Sequence, residues 1–234
     1  MSAAVLEQFS AYLIPARRLE AKRGHVSTPW PTLNEILGGG WQLGALNEVH
    51  GPRSSGRTSV LYASLGSALN RGAVAALVDA ESAIDARRAE RAGMPLRQLL
   101  WVCASQSQTL KAAELLVLAG GFELVGLDFG DSTPRMPTAA WIRLRNAAEQ
   151  QGTAVLLAAR FPIAGSFSAL SLQLRQTSID FGAARERVAL HPPLVTAISS
   201  LVSLARGHRA PERTAPCSLV FQEPVLASDT GRGT

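Results

Sequence analysis

Eight residues, Gly51-Pro52-Arg53-Ser54-Ser55-Gly56-Arg57-Thr58, have the types and the spacing to hold phosphate. They follow the phosphate-loop pattern G-x-x-x-x-G-K-[ST] except at Arg57, which stands where the pattern has lysine. Small residues let the backbone curl so that its N–H groups converge on phosphate oxygens. The helix that follows offers its positive end, and the hydroxyl holds Mg²⁺. On this reading Gly51, Ser54, Ser55, Gly56, Arg57, Thr58 and Ser59 form a nucleotide cradle, with Thr58 as the Mg²⁺ ligand. Lysine is a compact point charge, whereas arginine carries a wide planar fork, so the exchange at Arg57 is not conservative. The expected ligand is therefore ATP with Mg²⁺, or none, and a glycine-rich turn that binds nothing is the plainer alternative.

Carboxylates complete the candidate chemistry. Asp128 ends the apolar run Leu124-Val125-Gly126-Leu127, where the carboxylate that holds a metal's water shell belongs. Asp131 competes for that role but reads as a turn residue in Gly130-Asp131-Ser132. Glu81 follows the run Ala76-Leu77-Val78-Asp79-Ala80 and could polarise a water that attacks a γ-phosphate. A solvated loop residue is its plainer reading. Asp79 and Asp85 suit capping of the next short helix and pairing with Arg87 or Arg88.

The elements that must position these groups alternate along the chain. A short helix around Leu33–Leu37 stops at Gly38-Gly39-Gly40. Leu46–His50 reads as a strand running into the phosphate loop, and Arg57–Asn70 as the helix after it. Strands are expected at Val74–Asp79, Leu99–Cys103, Glu123–Asp128 and Ala154–Ala158, with helices at Asp85–Ala92, Thr109–Ala119 and Thr138–Gln150. This alternation specifies an α/β fold around a mostly parallel sheet, with ligands at the strand C-termini. Beyond about residue 165, Ser168–Leu174 alternates like a half-exposed strand. Leu201–Ala205 and Ser218–Gln222 read as two more, closing the sheet in antiparallel fashion.

Residues 1–26 read as a helical arm, with Leu6, Phe9 and Leu13 at helical spacing, followed by a basic linker; residues 27–222 form the core and 223–234 a flexible tail. The chain has 234 residues, 47% of them hydrophobic, enough for one sizeable core. Net charge is +5, carried mostly by arginine beside two lysines, Lys22 and Lys111. That balance suits nucleic acid without requiring it. Cys103 and Cys217 form no CxxC pair, and His25, His50, His191 and His208 have no metal-ligand spacing. No secretory signal opens the chain and no apolar stretch is long enough to cross a bilayer, so a cytoplasmic protein with no membrane partner is expected.

From Ser27 onward the chain resembles the core domain of RecA recombinases, segment by segment and in order. Ser27-Thr28 and Leu33-Asn34-Glu35-Ile36-Leu37-Gly38-Gly39-Gly40 look like the RecA entry helix, and Gly51–Ser59 like its P-loop. Val78-Asp79-Ala80-Glu81-Ser82-Ala83-Ile84-Asp85 resembles the strand end that supplies the RecA catalytic glutamate, which falls on Glu81. Leu124–Asp128 corresponds to the Walker B strand. Ser203-Leu204-Ala205-Arg206-Gly207-His208-Arg209-Ala210-Pro211 resembles the late strand and turn that carry lysines in RecA. The resemblance implies a RecA-type ATPase core with a strand inserted between the P-loop and Walker B strands.

The departures matter as much. Arg57 replaces lysine, Ala159-Arg160 stands where RecA has a γ-phosphate-sensing glutamine, and Arg206 and His208 lie near the place of the absent late lysines. The segments that would form DNA-gripping loops are short, the N-terminal arm is reduced, and no counterpart of the RecA C-terminal domain is expected. These features resemble the ImuA proteins, most closely in Gly51–Ser59, Leu99-Leu100-Trp101-Val102 and Ala119-Gly120-Gly121-Phe122-Glu123-Leu124-Val125. That resemblance implies an accessory role in SOS mutagenesis, in damage-induced translesion synthesis. The implied partners are an ImuB-like Y-family polymerase homologue, an error-prone C-family polymerase and RecA itself, reached by protein contact rather than strand exchange. A RecA-class ATPase driven by single-stranded DNA and a SulA-like division inhibitor remain the alternatives. Arg135, Arg143, Arg145, Arg160 and Arg175 lie in or near segments expected at the ligand edge of the sheet and could neutralise the phosphates of single-stranded DNA. Aromatic interleaving is thin there (Trp141, Phe161, Phe167), and a solvated basic face is the competing reading.

Overall fold

A computed structural model describes residues 24–82, 84–91, 94–132, 136–181, 195–206 and 214–220. The chain enters through His25–Val26 (β1), a helix at Pro31–Leu37 (α1) and Trp41–Gln42 (β2), which pairs antiparallel with β1. α1 has proline at its first turn and ends on Gly38 in the left-handed conformation, the helix stop anticipated from the glycine triplet. Then follow Leu46–His50 (β3), Arg57–Asn70 (α2), Ala75–Asp79 (β4), Ala86–Arg91 (α3), Leu99–Cys103 (β5) and Thr109–Ala119 (α4). Leu124–Asp128 (β6), Thr138–Gln151 (α5), Ala154–Ala159 (β7), Ser168–Phe181 (β8), Val195–Arg206 (β9) and Thr214–Val220 (β10) complete the order.

The large sheet runs β10-β9-β8-β3-β7-β6-β4-β5. β8, β3, β7, β6, β4 and β5 are parallel neighbours, and β9 and β10 close the sheet in antiparallel fashion. The α/β class, the mostly parallel sheet and the antiparallel closure are borne out. β7 lies between β3 and β6, so one strand separates the P-loop strand from the Asp128 strand.

Strands β3, β4, β6 and β7 are buried along their whole length because helices cover both faces. On one face Leu33, Ile36 and Leu37 of α1 and Val60, Leu61, Leu65 and Leu69 of α2 pack over Val49, Leu77, Leu124 and Leu156. On the other, Leu110, Ala113 and Val117 of α4 and Trp141, Leu144 and Ala148 of α5 cover Ala76, Val78, Val125 and Leu157. Gly126 in β6 lets α2 approach, since a Cβ there would lie 2.8 Å from Leu61 Cδ1.

The late strands are longer than their apolar signal. β8 runs on to Phe181 and β9 starts at Val195, while β10 occupies Thr214–Val220 rather than Ser218–Gln222. Gln173, Arg175, Thr177 and Ser178 face solvent on β8 and hide its continuation from any hydrophobic period. The expected helix of the N-terminal arm, Arg135 and the tail 223–234 lie outside the described residues.

Candidate nucleotide site

The residues from Gly51 to Gly56 leave the C-terminal end of β3 and lead into the N-terminus of α2. Gly51 is required by space, because a Cβ would stand 2.4 Å from the Leu174 carbonyl oxygen of β8 and 2.5 Å from Ser55 Oγ. Ser54 adopts φ 61° and Gly56 φ 88°. Ser54 is thus a non-glycine residue in left-handed backbone, which is uncommon and turns the chain sharply ahead of α2. Ser200 Oγ on β9 donates to Ser55 O at 2.8 Å, so the late strands brace the loop from behind.

A cavity of about 300 Å³ opens beside this loop, lined by Arg53, Ser54, Gly56, Arg57, Thr58, Ser59, Tyr62, Glu81, Asp128, Gly130 and Asp131. The structure therefore brings Thr58, Asp128 and Glu81 around one space, as their spacing suggests. Asp128 is 4% exposed and accepts the Gly130 N–H at 2.9 Å. Burial pushes its carboxyl above the usual range, partly countered by the Gly130 N–H and the Tyr62 hydroxyl. Tyr62 is pushed up by burial and by the neighbouring Asp128 and Asp79 carboxylates, and donates to Asp128. It lies one turn along α2 from Thr58, on the same face.

Glu81 is exposed, accepts from Ser132 Oγ at 3.2 Å and lies over Gly130, where a Cβ would meet its Oε2 at 2.1 Å. Asp79 is 1% exposed and accepts the N–H groups of Glu81 and Ile84, each at 3.1 Å. It thus fixes the turn that carries Glu81, whereas α3 itself begins at Ala86.

Arg57 is the departure. Its side chain is buried and turned into the protein: Nη1 donates to Gly51 O at 2.6 Å, and Nη2 to Gly130 O at 2.9 Å and to Asp131 Oδ1 at 2.7 Å. Arg53, 84% exposed, donates Nε to the other oxygen of Asp131. The Arg53 hydrogen bond and then that of Arg57 lower the pKa of the Asp131 carboxyl. Asp131 is in a turn, as its neighbours suggested, and it is also the anion that ties the phosphate loop to the end of β6. Nothing in a turn aspartate's sequence context names a guanidinium partner so far along the chain. Arg57 Nε and Ser55 Oγ are buried without a partner.

The backbone cradle, Thr58 and Asp128 fit a triphosphate with Mg²⁺. The two unpartnered buried atoms show donor capacity that the protein leaves unused. When bound, such a group would bring the metal's charge beside Thr58 and Asp128; the guanidinium of Arg57 faces Asp131 instead.

A second cluster lies after β7. Glu48, buried in the middle of β3, accepts the N–H groups of Ile163 at 2.6 Å and Ala164 at 3.0 Å, and Ser171 Oγ at 3.3 Å. It anchors the β7–β8 connection, on which Arg160 and Phe161 are exposed, with the guanidinium 5.2 Å from the ring. Arg145 lies 6.0 Å from the Phe167 ring. Arg143 is committed to Glu114 of α4 at 3.0 Å, and Arg175 is exposed on β8.

A sequence profile of the RecA N-terminal domain matches residues 17–139, more than half of the chain. The chain belongs to the RecA N-terminal domain family. It is similar to RecA of Desulfotalea psychrophila, 36% identical over 108 residues, which cover 44% of this chain and 30% of that protein. RecA of Chlorobaculum parvum is 38% identical over 106 residues, with 44% and 30% covered. RecA of Treponema denticola is 36% identical over 99 residues, with 41% and 24% covered. The chain thus spans about a third or less of the length of the curated RecA relatives it matches. The sheet order and the P-loop site described above form a RecA-like core. Among the described residues no helix is long and apolar enough to cross a membrane.

Proposed function

We propose that this chain is a RecA-like accessory factor in damage-induced translesion DNA synthesis. It acts by contact with an ImuB-like polymerase subunit, an error-prone C-family polymerase and RecA, without ATP-driven strand exchange. The observation that carries this reading is the engagement of Arg57 with Gly51 O, Gly130 O and Asp131. A P-loop engine needs its cation on the transferring phosphoryl group, where charge develops. Here that cation has protein acceptors on both sides of the fork. The ImuA-like sequence features and Ala159-Arg160 in place of a γ-phosphate sensor support the same reading.

A RecA-class ATPase dependent on single-stranded DNA is the second reading. It is favoured by the convergence of Thr58, Glu81 and Asp128 on one cavity.

Phosphate release with and without single-stranded DNA separates the two. The accessory reading expects no DNA-stimulated hydrolysis above background. It also expects co-purification with an ImuB-like partner to be equal for the native chain and Glu81→Gln. DNA-stimulated turnover that disappears in Glu81→Gln would make the ATPase reading the right one.

A further inference from the structure

The Arg53–Asp131–Arg57 triad has the composition of an occupied anion site. Two guanidinium groups, one buried and one exposed, converge on a carboxylate, each through its own oxygen. All three line a cavity of about 300 Å³ that Ser54, Gly56, Thr58 and Ser59 of the phosphate loop and the start of α2 also line. Two-oxygen recognition of this kind is what guanidinium groups offer a phosphate. The buried member is not saturated, because Arg57 Nε, on a side chain less than a tenth exposed, has no acceptor. The carboxylate is on a turn rather than a strand, so it can leave without disturbing the sheet.

We propose that Asp131 is a built-in competitor for polyphosphate. It occupies the two arginines of the P-loop site in the resting chain, and a polyphosphate binds by taking its place on Arg57 and Arg53. Asp131 then sets the affinity of the site, and Arg57 is a phosphate ligand held in reserve. A carboxylate has two oxygens and one charge. A triphosphate has more of both and also meets the N–H groups of the loop, so it gains contacts that Asp131 cannot make. The native chain binds polyphosphate weakly because each contact to Arg57 or Arg53 must first displace a charge-assisted hydrogen bond to Asp131.

The test is calorimetric titration of the full chain with two probes, ATP and inorganic tripolyphosphate, each with Mg²⁺. Asp131→Asn and Asp131→Ala are compared with the native protein and with Asp131→Glu, which keeps the charge. Both neutral variants are expected to bind at least about tenfold more tightly, the scale set by one lost charge-assisted hydrogen bond. Asp131→Glu should stay within about threefold of native on the same scale. Adding Arg53→Gln to Asp131→Ala should remove part of the gain. A preference for ATP over tripolyphosphate identifies a nucleotide as the ligand, and equal binding identifies polyphosphate itself; both support the exchange. Thermal melting establishes which neutral variant is folded, and one is sufficient. A folded neutral variant that binds neither probe better than the native chain overturns the proposal. The accessory reading fails on a different observation, native DNA-stimulated hydrolysis, so the two can fall separately.

Discussion

At the phosphate loop, the guanidinium of Arg57 is buried and gives its hydrogen bonds to Gly51 O, Gly130 O and Asp131, so its charge is met inside the protein. At the β7–β8 connection, Arg160 is exposed beside Phe161, which is exposed too. Both segments leave neighbouring parallel strands, β3 and β7, at the same edge of the sheet. In each, a charged group does the positioning: Arg57, at the start of α2, ties the P-loop to the turn after β6, and Glu48 on β3 holds the β7–β8 connection. The contrast teaches that nearness to a ligand edge does not by itself offer an arginine to a partner: Arg160 already faces solvent, whereas Arg57 is held by the protein's own acceptors.

The largest expected effect tests the anchor. Glu48→Ala deletes the acceptor of the Ile163 and Ala164 N–H groups and leaves both without it, Ala164 buried and Ile163 half-buried. Each unsatisfied buried donor costs about 1–3 kcal/mol, so a loss of roughly 2–4 kcal/mol is expected in urea unfolding. Amide exchange at Ile163 and Ala164 should rise with it. A cost below about 1 kcal/mol would mean that the connection holds its shape without Glu48.

The next effect tests what the outward charge is for. Arg160→Gln with Phe161→Ala should weaken binding of an oligothymidylate by about 1–3 kcal/mol and lower the salt slope by about one. Stability should change by no more than about 0.5 kcal/mol, as for other exposed positions. Arg57→Gln should leave this DNA affinity untouched. If the P-loop variant weakens DNA binding as much as the loop variant, the contrast between the two arginines is void.

Much of this was legible. β3, α2, β5 and α4 have the bounds expected from the sequence, and the fully covered strands β4, β6 and β7 advertise themselves by nearly continuous hydrophobicity. Thr58, Glu81 and Asp128 met at one cavity because each ends or follows such an element. What stayed hidden depends on side-chain reach. Glu48 is visible as a misfit within Leu46-Asn47-Glu48-Val49-His50, but its partners come from a connection more than a hundred residues later. Arg57 is visible as a departure, but the direction of its fork depends on Asp131, whose own sequence signal is only that of a turn. The extension of β8 was masked by its solvent-facing polar residues.

The smallest effect concerns whether the cavity retains a cost. Burial raises the pKa of Asp128 in the folded chain, so the ionised carboxylate is the form the fold disfavours. The sign follows from linkage: the stability associated with a raised carboxyl is fully present below its unfolded pKa of about 3.9 and is lost as pH rises through the folded value. At pH 8 the native chain therefore carries a penalty that Asp128→Asn lacks. The variant should melt a few degrees higher there, on the scale of about 2–4 °C per kcal/mol for a chain of this size. The difference should shrink as the pH is lowered towards 4, where the native carboxyl takes up its proton. A stabilised Asp128→Asn would mean that this carboxylate is held in the cavity against the fold's own preference, as a site residue is and a structural one is not. A variant that melts lower at both ends of the range would instead make Asp128 a structural acceptor for Gly130 and Tyr62, and the P-loop mouth a packed joint rather than a site.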